Sequence, residues 1–295
     1  MNARHFIALL LLLPVIASAQ GDPLVKAYEH YRAGEIAEAR VFADRAVETA
    51  DHAQNAEAWL LRGFIYKDLY KAKQPAPEAE TDRKEAISSL YKSIGLDKEG
   101  QYRENATQAY EYMSRSYYND VARALQEMNA EQADEYFQLY IAAVKQLDPQ
   151  AQLQQREIEF RNALGTVHTK KFNSDRTNTE QFDRAVAAYE RALELDPNNY
   201  GANYNLATLF YNRGVYNIQR ISADDDIPGI QSIQEVSREF FQQALPYMLK
   251  AHDMNPSRRE TLLGLEGIYY SLQDHESSDK FRQLFEELPP QENDR

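Results

Sequence analysis

Residues separated by four and then three positions lie on one face of an α-helix. In three places this spacing is followed, five residues later, by a proline, which a helix interior does not tolerate. These sets are Ala185, Tyr189, Ala192 and Pro197; Ala244, Met248, Ala251 and Pro256; and Phe137, Ile141, Val144 and Pro149. Two sets without the proline are Ala39, Ala43 and Ala46, and Ala86, Leu90 and Ser93. The pattern predicts a series of helices that other helices can approach closely.

A second pattern precedes each of these predicted helices. It places a small residue four positions after a larger one and three positions before an aromatic one. Its copies are Trp59, Gly63 and Tyr66; Tyr110, Ser114 and Tyr117; Arg161, Gly165 and His168; Asn203, Ala207 and Phe210; and a degenerate last copy, Leu262, Glu266 and Tyr269. This spacing is typical of the first helix of a hairpin, with the small residue where the two helices cross.

The two alternating patterns resemble the tetratricopeptide repeat, a helix–turn–helix unit. The resemblance covers residues 22–288 and is strongest at residues 192–199 and 204–207, which read Ala-Leu-Glu-Leu-Asp-Pro-Asn-Asn and Tyr-Asn-Leu-Ala. It implies an all-α, right-handed superhelical solenoid of about six repeats. The expected repeats are residues 22–52, 55–98, 101–149, 152–197, 199–256 and 257–288. The chain is also similar to secreted bacterial tetratricopeptide proteins, which mostly bind other proteins.

The spacing between repeats is longer than this family's usual length of about 34 residues. Corresponding positions in the second helices, Ala46, Ser93, Val144, Ala192 and Ala251, are 47, 51, 48 and 59 residues apart. Most of the additional residues fall between the two helices of a hairpin. The sequence therefore predicts elongated inner hairpins whose tips form a ridge along one edge.

Some of the added residues extend helices, and others form loops. Helix is expected on both sides of Asn129, whereas turn residues predict loops at 74–77, 173–175 and 222–229. Pro246 is expected to kink its helix. Residues 289–295, which contain Pro289 and Pro290, are expected to form a flexible tail.

The first residues have the features of a secretory signal peptide. Residues 6–17 form an apolar run broken only by Pro14, and Ala17-Ser18-Ala19 follows with small residues at the two positions that a signal peptidase inspects. The run is shorter than the roughly 20 residues that span a bilayer. We expect residues 1–19 to be removed by cleavage between Ala19 and Gln20, which places the product in the periplasm or outside the cell without stable membrane insertion.

Composition excludes several function classes. A net charge of −13 disfavours nucleic-acid binding, which depends on clustered Lys and Arg. The chain has no Cys, and therefore no thiol nucleophile or thiolate metal site. No nucleophile elbow, phosphate loop or dinucleotide fingerprint is present. The segments His275–Asp279 and Asp224–Asp226 lack the spacing of zinc and calcium sites. We therefore expect no catalysis, cofactor or bound metal.

The resemblance also suggests where a partner binds. In a tetratricopeptide solenoid the first helices line the concave wall, mainly through residues next to the packing positions, and Asn205 matches an asparagine that some members use to hold a peptide backbone. The expected partner-binding groove consists of Arg115, Tyr118, Asn119, Asn162, Thr166, Tyr204, Asn205, Thr208, Tyr211 and Asn212. Leu263 replaces a basic residue of the family's carboxylate clamp.

Two functions remain open from the sequence. In the first, the protein is an extracytoplasmic interaction module or scaffold that binds a peptide segment or helix of a partner protein in its groove. In the second, it is a structural component or assembly factor of a cell-envelope machine, for secretion or outer-membrane biogenesis, and the hairpin-tip ridge is its working surface.

Overall fold

The computed structural model describes residues 21–289, which contain helices, turns and no strands. The predicted signal peptide and the tail from Pro290 onward lie outside these residues. The helices are α1 (Pro23–Arg32), α2 (Ile36–Glu48), α3 (Ala56–Lys73), α4 (Ala79–Leu96), α5 (Arg103–Gln126), α6 (Ala130–Leu147), α7 (Gln154–Ser174), α8 (Thr179–Leu195), α9 (Tyr200–Gln219), α10 (Ile227–Met254), α11 (Arg259–Ser271) and α12 (His275–Glu286). None of these helices is both long enough and apolar enough to cross a membrane.

Consecutive helices pair into hairpins, as the all-α repeat fold requires. α1 packs on α2, α3 on α4, α7 on α8, α9 on α10 and α11 on α12. The helices of the inner hairpins have 17 to 28 residues, whereas those of the first and last hairpins have 10 to 13. The predicted elongation of the inner hairpins is therefore confirmed.

The chain divides into two compact units between Ser116 and Tyr117. In the first unit, the core is made by small residues of α2 and α4 facing apolar residues of α1 and α3. Ala39, Ala43, Ala86 and Leu90 are almost completely buried. Gly63 marks the crossing of α3 and α4, since a Cβ atom added there would lie 2.6 Å from Leu90 Cγ.

The second unit is organised in the same way. Ala185, Tyr189 and Ala192 of α8 and Ala244, Met248 and Ala251 of α10 are buried, as their spacing predicts. Gly214 of α9 lets Phe241 pack so closely that a Cβ atom at position 214 would lie 2.5 Å from its ring. Large side chains thus fit against small residues of the partner helix, which is the packing expected from the sequence.

Helix ends agree with the predicted stop signals. α6, α8 and α10 end at Leu147, Leu195 and Met254, each two residues before a proline. Several helices begin at an Asn or Asp whose side chain accepts a hydrogen bond from the first turn; one example is Asn199 Oδ1, which lies 3.0 Å from the Ala202 amide nitrogen. Such caps satisfy amide groups that have no partner within the helix.

Three local expectations differ from the structure. α7 continues through Ser174, so the loop expected at 173–175 begins at Asp175. Pro228 and Gly229 belong to the first turn of α10 rather than to a loop. The side chain of Asp226 caps that turn through the Gly229 amide at 2.8 Å, and a proline fits there because its missing N–H would have no partner.

The third difference concerns α6. Phe137 is fully buried, but Ile141 and Val144 are only partly buried, and Tyr140 and Ala143 are buried in their place. The ring of Tyr140 packs against that of Tyr118 of α5, with the two centroids 5.1 Å apart. The buried face of α6 therefore keeps Phe137, and beyond it the buried positions are each one residue earlier than predicted.

Candidate binding surfaces

Polar side chains form a stripe along α9 in the second compact unit. Asn205, Thr208 and Asn212 are three and four residues apart, which places them on one face of the helix. All three are partly exposed. Amide groups in such a stripe are suited to pairing with the main chain of an extended segment.

Tyr204 lies beside this stripe and is held in place by its neighbours. Its ring stacks on that of Tyr200 with centroids 6.0 Å apart, and Tyr200 Oη lies 2.8 Å from Thr261 Oγ1 of α11. Burial raises the pKa of Tyr204, and a hydrogen bond with Thr208 opposes the shift. A partly exposed ring that is already ordered offers contact area at low entropic cost.

The predicted groove residues of α7 contribute to internal packing. Asn162 Nδ2 donates to Asn199 Oδ1 at 3.0 Å and to the Ile158 carbonyl at 3.2 Å, which ties α7 to the start of α9. Thr166 Oγ1 donates to the Asn162 carbonyl and lies 3.3 Å from Tyr189 Oη. These groups position α9 relative to α7, and their donors are already engaged.

Tyr211 has a packing role as well. Its ring lies 5.7 Å from that of Phe241 in α10, and its hydroxyl occupies the space where a Cβ atom of Gly267 in α11 would stand. Removing this ring would disturb the contacts among three helices, so a loss of binding in a Tyr211 variant would not identify a binding surface.

The remaining predicted groove residues lie on α5. Tyr118 is partly buried, its hydroxyl donates to Glu159 Oε2 at 3.3 Å, and the Arg156 guanidinium stands 5.1 Å from its ring. Asn119 is exposed. Arg115 is exposed too, but it belongs to the first compact unit, whereas the other predicted groove residues belong to the second.

An apolar residue on α11 extends the candidate surface. The side chain of Leu263 is 47% exposed, and it lies one turn before Gly267, which Tyr211 contacts. Together, Tyr204, Asn205, Thr208 and Asn212 of α9 and Leu263 of α11 form what we call the first-helix surface. It combines an ordered ring, available amides and an exposed aliphatic group.

A cavity of about 620 Å³ lies at the opposite end of these helices and was not anticipated from the sequence. We call it the notch. Its apolar wall consists of Val215, Ile218, Phe241 and Tyr270, its basic groups are Arg238 and His275, and three glutamines and a serine complete the lining. The sequence indicates this cavity only through the unequal lengths of neighbouring hairpins. The α11–α12 hairpin is shorter than the α9–α10 hairpin, so the ends of α9 and α10 extend beyond it.

A second cavity, of about 480 Å³, lies between α6, α7 and α8. His168 lines it, and its Nδ1 lies 2.8 Å from Gln181 Oε1. Burial lowers the pKa of His168, so the ring is neutral at neutral pH. Arg161 and Arg184 on the same wall are paired with nearby carboxylates, for example Arg161 Nη1 with Asp134 Oδ1 at 3.4 Å. The two arginines face two carboxylates of the lining, Glu131 and Asp134, so the charges of the cavity wall are balanced.

The segments 224–226 and 275–279, which lack the spacing of metal sites, have structural partners. Asp225 Oδ2 accepts from the Ser222 amide at 2.7 Å, and Asp226 caps α10. His275 begins α12 and packs edge-on against Tyr270 with centroids 5.7 Å apart. Within residues 21–289, His, Asp and Glu side chains do not gather in groups of three that could hold a metal ion.

Comparison with known families gives one match. The model of the TPR repeat matches residues 177–214, which comprise α8 and most of α9. This match supports the tetratricopeptide resemblance in the region where the sequence motif is strongest. No curated protein matches the chain.

Several solved structures are similar to the chain at low identity. The crystal structure of PilW, a widely conserved type IV pilus biogenesis factor, is 16% identical, with 93% of this chain and 97% of that chain covered and a TM-score of 0.37. The human IFIT1 dimer with m7Gppp-AAAA is 12% identical, with 91% and 51% covered and a TM-score of 0.38, so this chain spans about half its length. The TPR2AB domain of yeast Sti1 in complex with pHSP90 is 14% identical, with 90% and 96% covered and a TM-score of 0.24.

Proposed function

We propose that this array of tetratricopeptide-like hairpins is an extracytoplasmic scaffold that binds a segment of a partner protein along the first-helix surface of its second compact unit. The stripe on α9 is the observation that carries the proposal. Asn205 and Asn212 are partly exposed and make no hydrogen bond through their amides to residues 21–289, whereas the neighbouring Asn162 is engaged. Unpaired amides beside an ordered ring are suited to holding a peptide main chain.

The chemistry of the surface describes the segment that it would take. Tyr204 and Leu263 offer apolar area, and the asparagines offer donors and acceptors for a main chain. Because Leu263 stands where a clamp for a terminal carboxylate would need a basic residue, the surface is suited to an internal segment rather than a chain end. The net charge of −13 favours a neutral or basic partner overall.

Site-specific crosslinking tests this proposal. We expect p-benzoylphenylalanine at position 205 to capture a partner in cells of the source organism, and the same group at position 217 to capture none. Asn217 lies on the same helix but about 140° around its axis from Asn212, so it is a matched control. The triple variant N205A/N212A/L263D should retain about tenfold less of the captured partner than the unchanged protein does.

A control variant distinguishes the loss of this surface from the general effect of adding a negative charge. Val41 is 49% exposed on α2, so V41D is expected to leave retention unchanged. Circular dichroism of every variant should retain the helical signal. Equal capture from positions 205 and 217, or full retention by the folded triple variant, would contradict the assignment of the surface.

The extracytoplasmic location is tested at the amino terminus. If residues 1–19 act as a signal peptide, the exported protein begins at Gln20, which N-terminal sequencing of the purified protein reads directly. A19R should block cleavage, because the peptidase requires a small side chain at that position, whereas A8L within the apolar run should be processed normally. Protein that begins at Met1 and stays in the cytoplasmic fraction would contradict this location.

A further inference from the structure

We infer that the notch at the end of the α9–α10 hairpin is a second binding site, and that it takes a protein segment carrying apolar side chains next to a carboxylate. The site is distinct from the first-helix surface in its position, its residues and the charge that it favours. The inference does not depend on the proposed function.

The notch arises from a difference in helix length. α11 has 13 residues and α12 has 12, whereas α9 has 20 and α10 has 28. The last hairpin turns back at residues 272–274, while α9 continues to Gln219 and α10 begins at Ile227. The end of α9 and the start of α10 therefore have no neighbouring helix from the last hairpin, and an open apolar step remains.

The floor of the notch is buried and its rim is exposed. Phe241 is 5% exposed, and its ring packs closely against Gly214 and against the ring of Tyr211. On the rim, Ile218 is 37% and Tyr270 is 62% exposed. A volume of about 620 Å³ lies within the range of sites that hold small ligands or several side chains of a peptide. A concavity of this size that is lined by apolar side chains and a few polar groups has the usual composition of a binding site.

The charge of the lining selects the occupant. Although the chain carries 46 acidic and 33 basic residues, the charged side chain in the lining is that of Arg238, and the lining contains no carboxylate. Asp274, adjacent to His275, directs Oδ1 to the Ser277 amide at 3.1 Å and caps α12. The one carboxylate paired with Arg238 is Glu235, whose Oε2 is 4.0 Å away on an exposed surface, and such a pair is weak. The Arg238 guanidinium therefore remains able to bind an incoming carboxylate.

The turn between α11 and α12 contributes a side chain to the lining of the notch. Gln273, which lines the notch, has a φ of 65°, a left-handed conformation that is unfavourable for a residue with a side chain. The corresponding turn between α1 and α2 has Gly34 at a φ of 78°. Met128, in the turn between α5 and α6, has the same conformation at a φ of 60°, so a long side chain is tolerated in these turns and it is the position of Gln273 in the lining that connects it to the notch.

Two labelled peptides serve as probes. The first carries two leucines one helical turn apart with a glutamate between them, and the second has lysine in place of the glutamate. Fluorescence anisotropy with the full chain should show that the glutamate peptide binds about tenfold more tightly than the lysine peptide. R238E, at an exposed position, should weaken binding of the glutamate peptide and strengthen binding of the lysine peptide. Such a reversal is not explained by damage to the fold.

Two further variants complete the test. Q273G should leave the melting temperature unchanged or raise it, because glycine fits the left-handed turn. The same variant should still weaken binding of the glutamate peptide. N205A on the first-helix surface should have no effect, which separates this inference from the proposed function. The inference is overturned if neither peptide binds, if R238E affects both peptides equally, or if N205A alone abolishes binding. It is also overturned if sedimentation shows a dimer that Y270A dissociates, since the notch would then hold a second copy of the chain.

Discussion

Replacing Arg83 by methionine is expected to lower the free energy of unfolding of the first compact unit by about 3 kcal/mol. Arg83 lies in the elongated part of the α3–α4 hairpin, and only 2% of its surface is exposed. Its Nε donates to Glu80 Oε2 at 3.0 Å, and its Nη2 donates to the same oxygen. Methionine fills a similar volume but leaves the Glu80 carboxylate without its main partner.

The Arg83 guanidinium also connects helices across the unit. Nη1 donates to Tyr70 Oη of α3 at 3.3 Å and to Ser116 Oγ of α5 at 3.2 Å. Its planar fork serves these groups at once, which the single ammonium of lysine cannot do. R83K should therefore still cost about 1–2 kcal/mol, because the charge is kept but hydroxyl groups lose a donor.

Urea unfolding followed by the fluorescence of Trp59, the only tryptophan of the chain, measures this effect because α3 carries that residue. K84M is the matched control. Lys84 is adjacent in sequence, its side chain is 61% exposed, and its Nζ is 3.9 Å from Glu80, so its loss should change stability by no more than about 0.5 kcal/mol. Similar unfolding midpoints for R83M and K84M would show that the buried network does not stabilise the hairpin.

The second expected result is that the same substitution, Gly to Ala, has opposite effects at two helical positions. G165A should destabilise the second compact unit by about 2 kcal/mol, whereas G95A should stabilise the first by about 0.5–1 kcal/mol. A Cβ atom at Gly165 would lie 2.6–2.8 Å from three ring atoms of Tyr189, while at Gly95 no heavy atom would lie within 4 Å.

At Gly165 the close contact outweighs the gain in helix propensity. Tyr189 is 1% exposed, and its hydroxyl lies within 3.4 Å of Thr166 and Thr169, so the ring has no space into which to withdraw. Overpacking a well-filled core costs about 1–3 kcal/mol, against a gain of about 1 kcal/mol from replacing glycine in a helix. Exposed Gly95 gives the propensity gain alone.

Hydrogen exchange resolved by residue distinguishes these effects, since it reports α7 and α8 separately from α4. Y189L, which shortens the side chain that meets Gly165, should recover much of the loss when combined with G165A. A double-mutant cycle would then give a coupling energy of about 1 kcal/mol or more. Equal changes at positions 95 and 165 would mean that α7 and α8 do not cross closely at Gly165.

The sequence predicted most of the helical architecture because its signals are local. Pro149, Pro197 and Pro256 stop the preceding helices wherever the chain folds, since a proline lacks the amide hydrogen and clashes with the preceding turn. The four-and-three spacing of Ala185, Tyr189 and Ala192 marks one face of α8 without reference to any other helix. The turn residues Pro228 and Gly229 predict a loop, but the Asp226 side chain caps the first turn of α10, so both residues belong to the helix.

The candidate surfaces were less predictable because exposure depends on neighbouring helices. Asn162, Thr166 and Tyr211 occupy positions next to packing residues, as Tyr204 and Thr208 do, but the first three meet Asn199, Tyr189 and Gly267. Sequence spacing gives the angle of a side chain around its own helix. It does not give the distance to the next helix, and that distance decides whether a polar group is engaged.

The sequence by itself determined the helices, their pairing into hairpins, the greater length of the inner hairpins and the small residues at which helices cross. These follow from backbone chemistry and from periodicity within a few turns. Only the tertiary structure decided which partly exposed groups remain available, that Arg83 is buried within a network, and that the α9–α10 hairpin leaves a basic notch beyond the end of α11. Those properties depend on the distances between helices that are remote in sequence, and on solvent exclusion once the helices have packed.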